Sequence, residues 1–294
     1  FENIFSIPVH VIPCPINSNL YLDKSNENKL IIPSFSCYEI FHSVHFVGKI
    51  LSKDINPKNY QELYSEVKNK KGKIYGTVLN PLDPCKNFIS MVRGFALAKN
   101  IIKDSILVIR FSTKGNLDNN QSVEDLIRIR TIYDQLLPEV LDSHVSNFKN
   151  IYFIIDNLYE DDLNNFLKTL DFYICTSRCE DQNFALQTAI YLGATPISVN
   201  HSSMNDYISE KNSFLIKSKP QLIDYTNCKN PSWWGSQWFT TDIFDVADAI
   251  IKSYKTDKDQ LLIMKKNIFQ IMDKIYSDNA VIKKIYSALK IKNE

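Results

Sequence analysis

The stretch from Phe172 to Ile208, FYICTSRCEDQNFALQTAIYLGATPISVNHSSMNDYI, constrains the chain most. Phe172, Tyr173, Ile174 and Cys175 form a short, bounded apolar run, which suits a parallel strand buried on both faces. A polar loop follows from Thr176 to Gln182. Phe184, Leu186, Ala189, Ile190 and Leu192 then give a broad helical apolar face, stopped by Gly193 and Pro196. Ile197 to Val199 begin the next strand, and the remainder to Ile208 reads as a loop entering a second helix. Strand, loop, helix repeated in this way is the unit of a parallel sheet. Such sheets place ligands at the carboxyl ends of their strands. The first N–H groups of a helix have no partner inside it, so the turn at Asn183 is a natural seat for an anion such as a nucleotide phosphate.

The same pattern recurs earlier. Ile74 to Leu79 read as a strand, Asn80 to Asn87 as its loop, and Phe88, Met91, Val92, Phe95, Ala96 and Ala98 as one helix face. Ser105 to Phe111 (SILVIRF) and Asn150 to Asp156 (NIYFIID) are two further strands. Helices are expected over 123–137, ending at Pro138, and around Leu163, Phe166, Leu167 and Leu170. A short strand is expected over 213–216. Next comes an irregular aromatic stretch with Trp233, Trp234 and Trp238, whose rings suit packing. Helices over 242–254 and 258–289 close the chain. Strands alternating with helices at this spacing predict a doubly wound α/β sheet. Residues 1–72 hold a strand fenced by Pro8, Pro13 and Pro15, an Asn/Lys/Ser-rich loop and a helix-like stretch from Tyr60 to Lys68, and read as a linker with edge elaboration. The domain plan is therefore 1–72, then 73–255, then C-terminal helices over 256–294.

Composition excludes several classes. A formal net charge of +1 gives no reason to expect nucleic acid. No apolar run reaches the roughly 20 residues of a spanning helix. The six cysteines have neither a CxxC nor a His at ligand spacing, which fits reduced, buried thiols of a cytoplasmic protein rather than a metal site. The chain opens on Phe1 without a basic leader and reads as a piece of a longer protein.

The residues also carry a resemblance. Ser177, Arg178 and Glu180, with Gln182, Asn183, Leu186, Ala189, Gly193 and Pro196, and then His201 to Ile208, resemble the donor-binding core of retaining glycosyltransferases of family 4, which have the GT-B fold. Gly76 to Pro81, followed by Asp83, Lys86, Asn87 and Phe88, is similar to the first strand and loop of that domain. The resemblance implies a Rossmann-like sheet of GT-B type without most of its N-terminal acceptor domain. It implies transfer of a sugar, with retention, from a nucleotide-sugar donor to a glycan, lipid-linked or protein acceptor. It brings no cofactor and no metal, and a cytoplasmic location compatible with peripheral association at the inner face of a membrane. Glu180 is then the catalytic carboxylate beside the donor sugar. Lys86 faces the phosphates, and Asn80, Ser177, Arg178, Gln182, Asn183, Phe184, Ala185 and Thr188 complete the donor site. His201 shapes the pocket floor.

Several positions depart from the family pattern: Cys85 stands where a basic residue usually precedes the phosphate lysine, and the Arg that many members carry earlier in that loop has no match near Asn80. Eight residues past Glu180 stands Thr188, where the family has a Glu that holds ribose hydroxyls, and Asp181 stands where Gly is usual. These departures leave two rival readings. One is a non-catalytic nucleotide- or sugar-binding module derived from a transferase. The other is an unrelated doubly wound protein, although no GxGxxG follows a strand as a dinucleotide enzyme would need.

Overall fold

The computed structural model describes residues 12–16, 30–39, 57–112, 148–154 and 158–289. The helix expected over 123–137, the Asn/Lys/Ser-rich loop and the segment around Pro8 lie outside them. Among the described residues the main sheet has eight strands. In chain order these are β1 (Ser36–Glu39), β2 (Lys58–Asn59), β3 (Ile74–Leu79), β4 (Ile106–Phe111), β5 (Ile151–Ile154), β6 (Phe172–Cys175), β7 (Thr195–Ser198) and β8 (Phe214–Leu215). Their spatial order is β2-β1-β5-β4-β3-β6-β7-β8. From β5 to β8 every pairing is parallel, and β1 adds antiparallel to β5 at one edge. The near-continuous apolar strands found in the sequence are those buried on both faces: β5 and β6 are buried at every position. Tyr75 of β3 lies opposite Phe172 of β6, with the two rings stacked at 5.0 Å.

Seven helices pack around this sheet among the described residues: α1 (Tyr60–Asn69), α2 (Phe88–Ala98), α3 (Glu160–Lys168), α4 (Phe184–Tyr191), α5 (Ile243–Lys255), α6 (Lys258–Tyr276) and α7 (Asp278–Ala288). α1 buries Tyr60, Leu63 and Val67 in the common core, so residues 57–69 belong to the body of the fold. α2 and α5 meet at Gly94, where a methyl group would lie 2.5 Å from the Val246 side chain. No described helix is long and apolar enough to cross a membrane.

Three expectations need correction. After β7 the chain makes a 3-10 turn, Ser202–Asp206, rather than a second helix. The expected helix over 258–289 breaks at Ser277, whose extended backbone and hydroxyl, accepting from the Ala280 N–H, cap a new helix. The stretch around the tryptophans is not irregular throughout. It ends in β10 (Gln237–Thr241), which forms an antiparallel ribbon with β9 (Ser218–Leu222). Pro220 in β9 masks this strand in the sequence, and is tolerated because a two-stranded ribbon has only edges. Residues 12–16, the described end of the proline-fenced segment, are held by Gln182, which exchanges two hydrogen bonds with the Cys14 backbone, and by Ile16 donating to the Tyr276 carbonyl.

Candidate functional site

Strand order reverses between β3 and β6: the chain moves outward through β4 and β5, then returns to the other side of β3 for β6, β7 and β8. The loops leaving the carboxyl ends of β3 and β6 therefore diverge and open a crevice. A cleft of about 270 Å³ lies there, lined by both strand ends, by Asn80 and Lys86 of the first loop, by Ser177, Glu180 and Asp181 of the second, and by the start of α4. Where the strands part, the Tyr173 hydroxyl bridges them: it accepts from the Val78 N–H at 3.1 Å and lies 3.2 Å from the Val78 carbonyl.

Each loop is shaped by its own short side chains. Asn80 accepts from the Leu82 N–H, and Asp83 accepts from the Cys85 N–H to start a 3-10 turn, Pro84–Lys86. That turn lifts Lys86 to the crevice. The two loops are then tied together. Thr176 donates to the carbonyls of Lys86 and Asn87, and the Arg178 N–H donates to the Cys85 carbonyl at 2.6 Å. Both loops end the same way, in an asparagine with left-handed backbone followed by phenylalanine. Asn87 (φ 50°) precedes α2 and Asn183 (φ 56°) precedes α4. Asn is among the few non-glycine residues that adopt this geometry readily.

Lys86 and Glu180, 94 positions apart in sequence, meet at 2.6 Å. Ser177 donates to the same carboxylate oxygen at 2.6 Å. The Glu180 side chain is only 7% exposed and that of Lys86 26%. Burial pulls the Lys86 ammonium down, but the hydrogen bond and charge of Glu180 outweigh it and hold the group above its ordinary value. At the start of α4 the Asn183 side chain accepts from the Leu186 N–H at 3.2 Å. The N–H groups of Phe184 and Ala185 have no acceptor among the described residues. The charged lining residues are Lys86, Glu180 and Asp181, a net of one negative charge.

Seven of the ten sequence-selected residues line this cleft: Asn80, Lys86, Ser177, Glu180, Asn183, Phe184 and Ala185. Three do not. Arg178 turns away, its guanidinium 4.4 Å from the Trp238 ring and hydrogen-bonded to the Pro84 carbonyl. Gln182 is committed to the Cys14 backbone and to Gln187. Thr188 lies a turn further along α4, outside the lining. His201 is not a pocket floor either: it stacks on Phe239 of β10 at 4.2 Å, and burial lowers it to about 4. Sequence reasoning missed Thr77, Tyr173 and Ser112 as lining residues. Only Ser112 had a legible signal, as the first polar residue after an apolar strand. Among the described residues no three His, Cys, Asp or Glu side chains converge as metal ligands.

No protein-family model and no curated protein matches the sequence. Solved structures do match. A trehalose-6-phosphate synthase aligns over 96% of this chain and 51% of its own, at 11% identity and a TM-score of 0.58. An α,α-trehalose-phosphate synthase (UDP-forming) from Burkholderia xenovorans, in complex with glucose-6-phosphate, aligns over 79% of this chain and 46% of its own, at 8% identity and a TM-score of 0.51. The C-terminal domain of a glycosyl transferase group 1 family protein from Francisella tularensis aligns over 73% of this chain and 93% of its own, at 13% identity and a TM-score of 0.49. The chain spans about half the length of the two synthases. What likeness at such identities establishes is the fold: a mostly parallel α/β domain of GT-B type.

Proposed function

We propose that this chain is the donor-binding part of a glycosyltransferase, which transfers a sugar from a nucleoside-diphosphate donor with retention. The observation that carries the reading is the meeting of Lys86 and Glu180 across the crevice where the strand order reverses, beside the start of α4. Lys86 and the N–H groups of Phe184 and Ala185 receive the diphosphate, the ammonium turning from Glu180 to the phosphates as the donor enters. The chemical step breaks the bond between the anomeric carbon and the phosphate oxygen and forms one to the acceptor hydroxyl, whose proton passes to the departing phosphate. Stabilising that phosphate is the protein's main contribution. Glu180, freed from Lys86 but still held by Ser177, favours the positive charge that develops on the sugar.

The acceptor is a glycan, a lipid-linked saccharide or a protein. The remaining parts of the reading rest on the resemblance in the β3 and β6 loops: no cofactor or metal, a cytoplasmic site and contact with a membrane face. Calorimetric titration with UDP, GDP and their glucose conjugates tests it. Micromolar binding of one nucleotide series, weakened at least tenfold in Lys86→Ala, is the expected result. A full chain that binds none of them, or a Lys86→Ala variant with unchanged affinity, refutes it.

A further inference from the structure

The ion pair across the crevice has a second pair running beside it. Cys85 immediately precedes Lys86, Cys179 immediately precedes Glu180, and their sulfurs lie 3.1 Å apart as free thiols. The Arg178 N–H to Cys85 carbonyl bond already fixes the two backbones next to each other. We propose that Cys85 and Cys179 are a modification site: they form a reversible disulfide by exchange with a low-molecular-weight disulfide, bolting the Lys86 loop to the Glu180 loop.

The surroundings assign the two thiols different parts. Cys179 is half-buried, whereas Cys85 is buried in a small cluster with Ile223, Cys228 and Trp238. Cys179 is the thiol a small disulfide can reach, and its hydrogen bond with Cys85, with Lys86 acting the same way, holds it below its ordinary value against burial and the nearby carboxylates of Glu180 and Asp83. Cys179 therefore attacks first. Its thiolate forms a bond to one sulfur of the small disulfide and expels the other as a thiol. Cys85 then gives up its proton, bonds to the Cys179 sulfur and expels the second small thiol. Two protein thiols and one small disulfide become one protein disulfide and two small thiols, so electrons and protons balance. Closing the sulfurs from 3.1 Å to the bonded separation of about 2 Å draws the loops together. Lys86, one residue from the bridge, is then less free to leave Glu180 for an anion.

This consequence for ligand binding rests on the proposed function; the bond itself does not. The full chain is incubated with reduced and oxidised glutathione at a series of ratios, then alkylated, digested and weighed. The expected product lacks two hydrogens and joins the peptides containing Cys85 and Cys179. It exceeds the glutathione adduct by about tenfold or more and reverts with reductant. Cys85→Ala should trap the glutathione adduct on Cys179, and Cys179→Ser should abolish the reaction. A bridge to Cys228 or Cys14, or an adduct without a bridge in the wild type, overturns the proposal. The oxidised chain should bind its nucleoside diphosphate about tenfold more weakly than the reduced chain, and equal affinities overturn the regulatory consequence. If the reduced chain binds neither UDP nor GDP, the function reading fails together with that consequence, while the bond is still decided by the peptide masses.

Discussion

Neutralising the Lys86–Glu180 pair one side at a time should cost more than neutralising both sides. At 2.6 Å and an effective dielectric constant of ~20, the gross attraction is roughly 6 kcal/mol. Most of it is offset by taking the two charges out of water, and the 26% exposure of Lys86 reduces both quantities. Glu180→Gln keeps the shape but strands a half-buried ammonium, and should destabilise by about 2 kcal/mol. Lys86→Met strands a carboxylate that keeps only its Ser177 hydrogen bond, and should cost about 2–3 kcal/mol. The double variant leaves neither charge behind and should cost about 1 kcal/mol, giving a coupling of roughly 3 kcal/mol. Urea denaturation of the four proteins at pH 7.5 measures the cycle. The pH dependence adds an internal check. Lys86 is held above its ordinary value, so its contribution is complete below the unfolded value of about 10.4 and fades as pH rises through the folded one. The gap between wild type and Lys86→Met should be flat from pH 7 to about 9.5 and close above that. Single-variant costs that add to within about 0.5 kcal/mol would refute the pairing.

Gly94→Ala gains about 1 kcal/mol of helix propensity but forces a methyl group into the Val246 side chain, and should lower stability by a net 1–2 kcal/mol in urea melts; a stabilised variant would mean that α2 and α5 do not pack this closely. His201 takes its proton at about 4 when folded and near 6.5 when unfolded, so stability should fall as pH drops through that window. His201→Phe should remove about 1–3 kcal/mol of the difference between melts at pH 7 and pH 4.5, and an unchanged difference would place the acid sensitivity elsewhere. Asp181 sits exposed on the cleft lining. Asp181→Asn should tighten nucleoside-diphosphate binding about 2–5-fold at low salt, with the gain shrinking as salt rises, and unaltered affinity would separate this carboxylate from the phosphates.

The sheet was legible because its strands are short, apolar and separated by helices with one oily face. β3 and β6 occupy Ile74–Leu79 and Phe172–Cys175 as the pattern of burial requires. The β9–β10 ribbon was not, since Pro220 and the exposed Lys219 hide a period of two on a surface element. The break at Ser277 was hidden for the opposite reason: the apolar rhythm continues through it, and one hydroxyl decides the turn. Within the cleft, Lys86 and Glu180 could be chosen from loop context, but their mutual contact could not. It depends on β3 and β6 being neighbours although nearly a hundred residues separate them. Arg178 misled because its charge, placed three residues after β6, suits an anion site equally well as it suits the Trp238 face it covers.

The twin asparagines before α2 and α4 bear on how this protein can change over time. The mouth between the two loops is sculpted by main-chain twists and by peptide groups, which survive most exchanges of nearby residues. The side chains that greet a guest molecule can therefore be exchanged while the doorway itself persists.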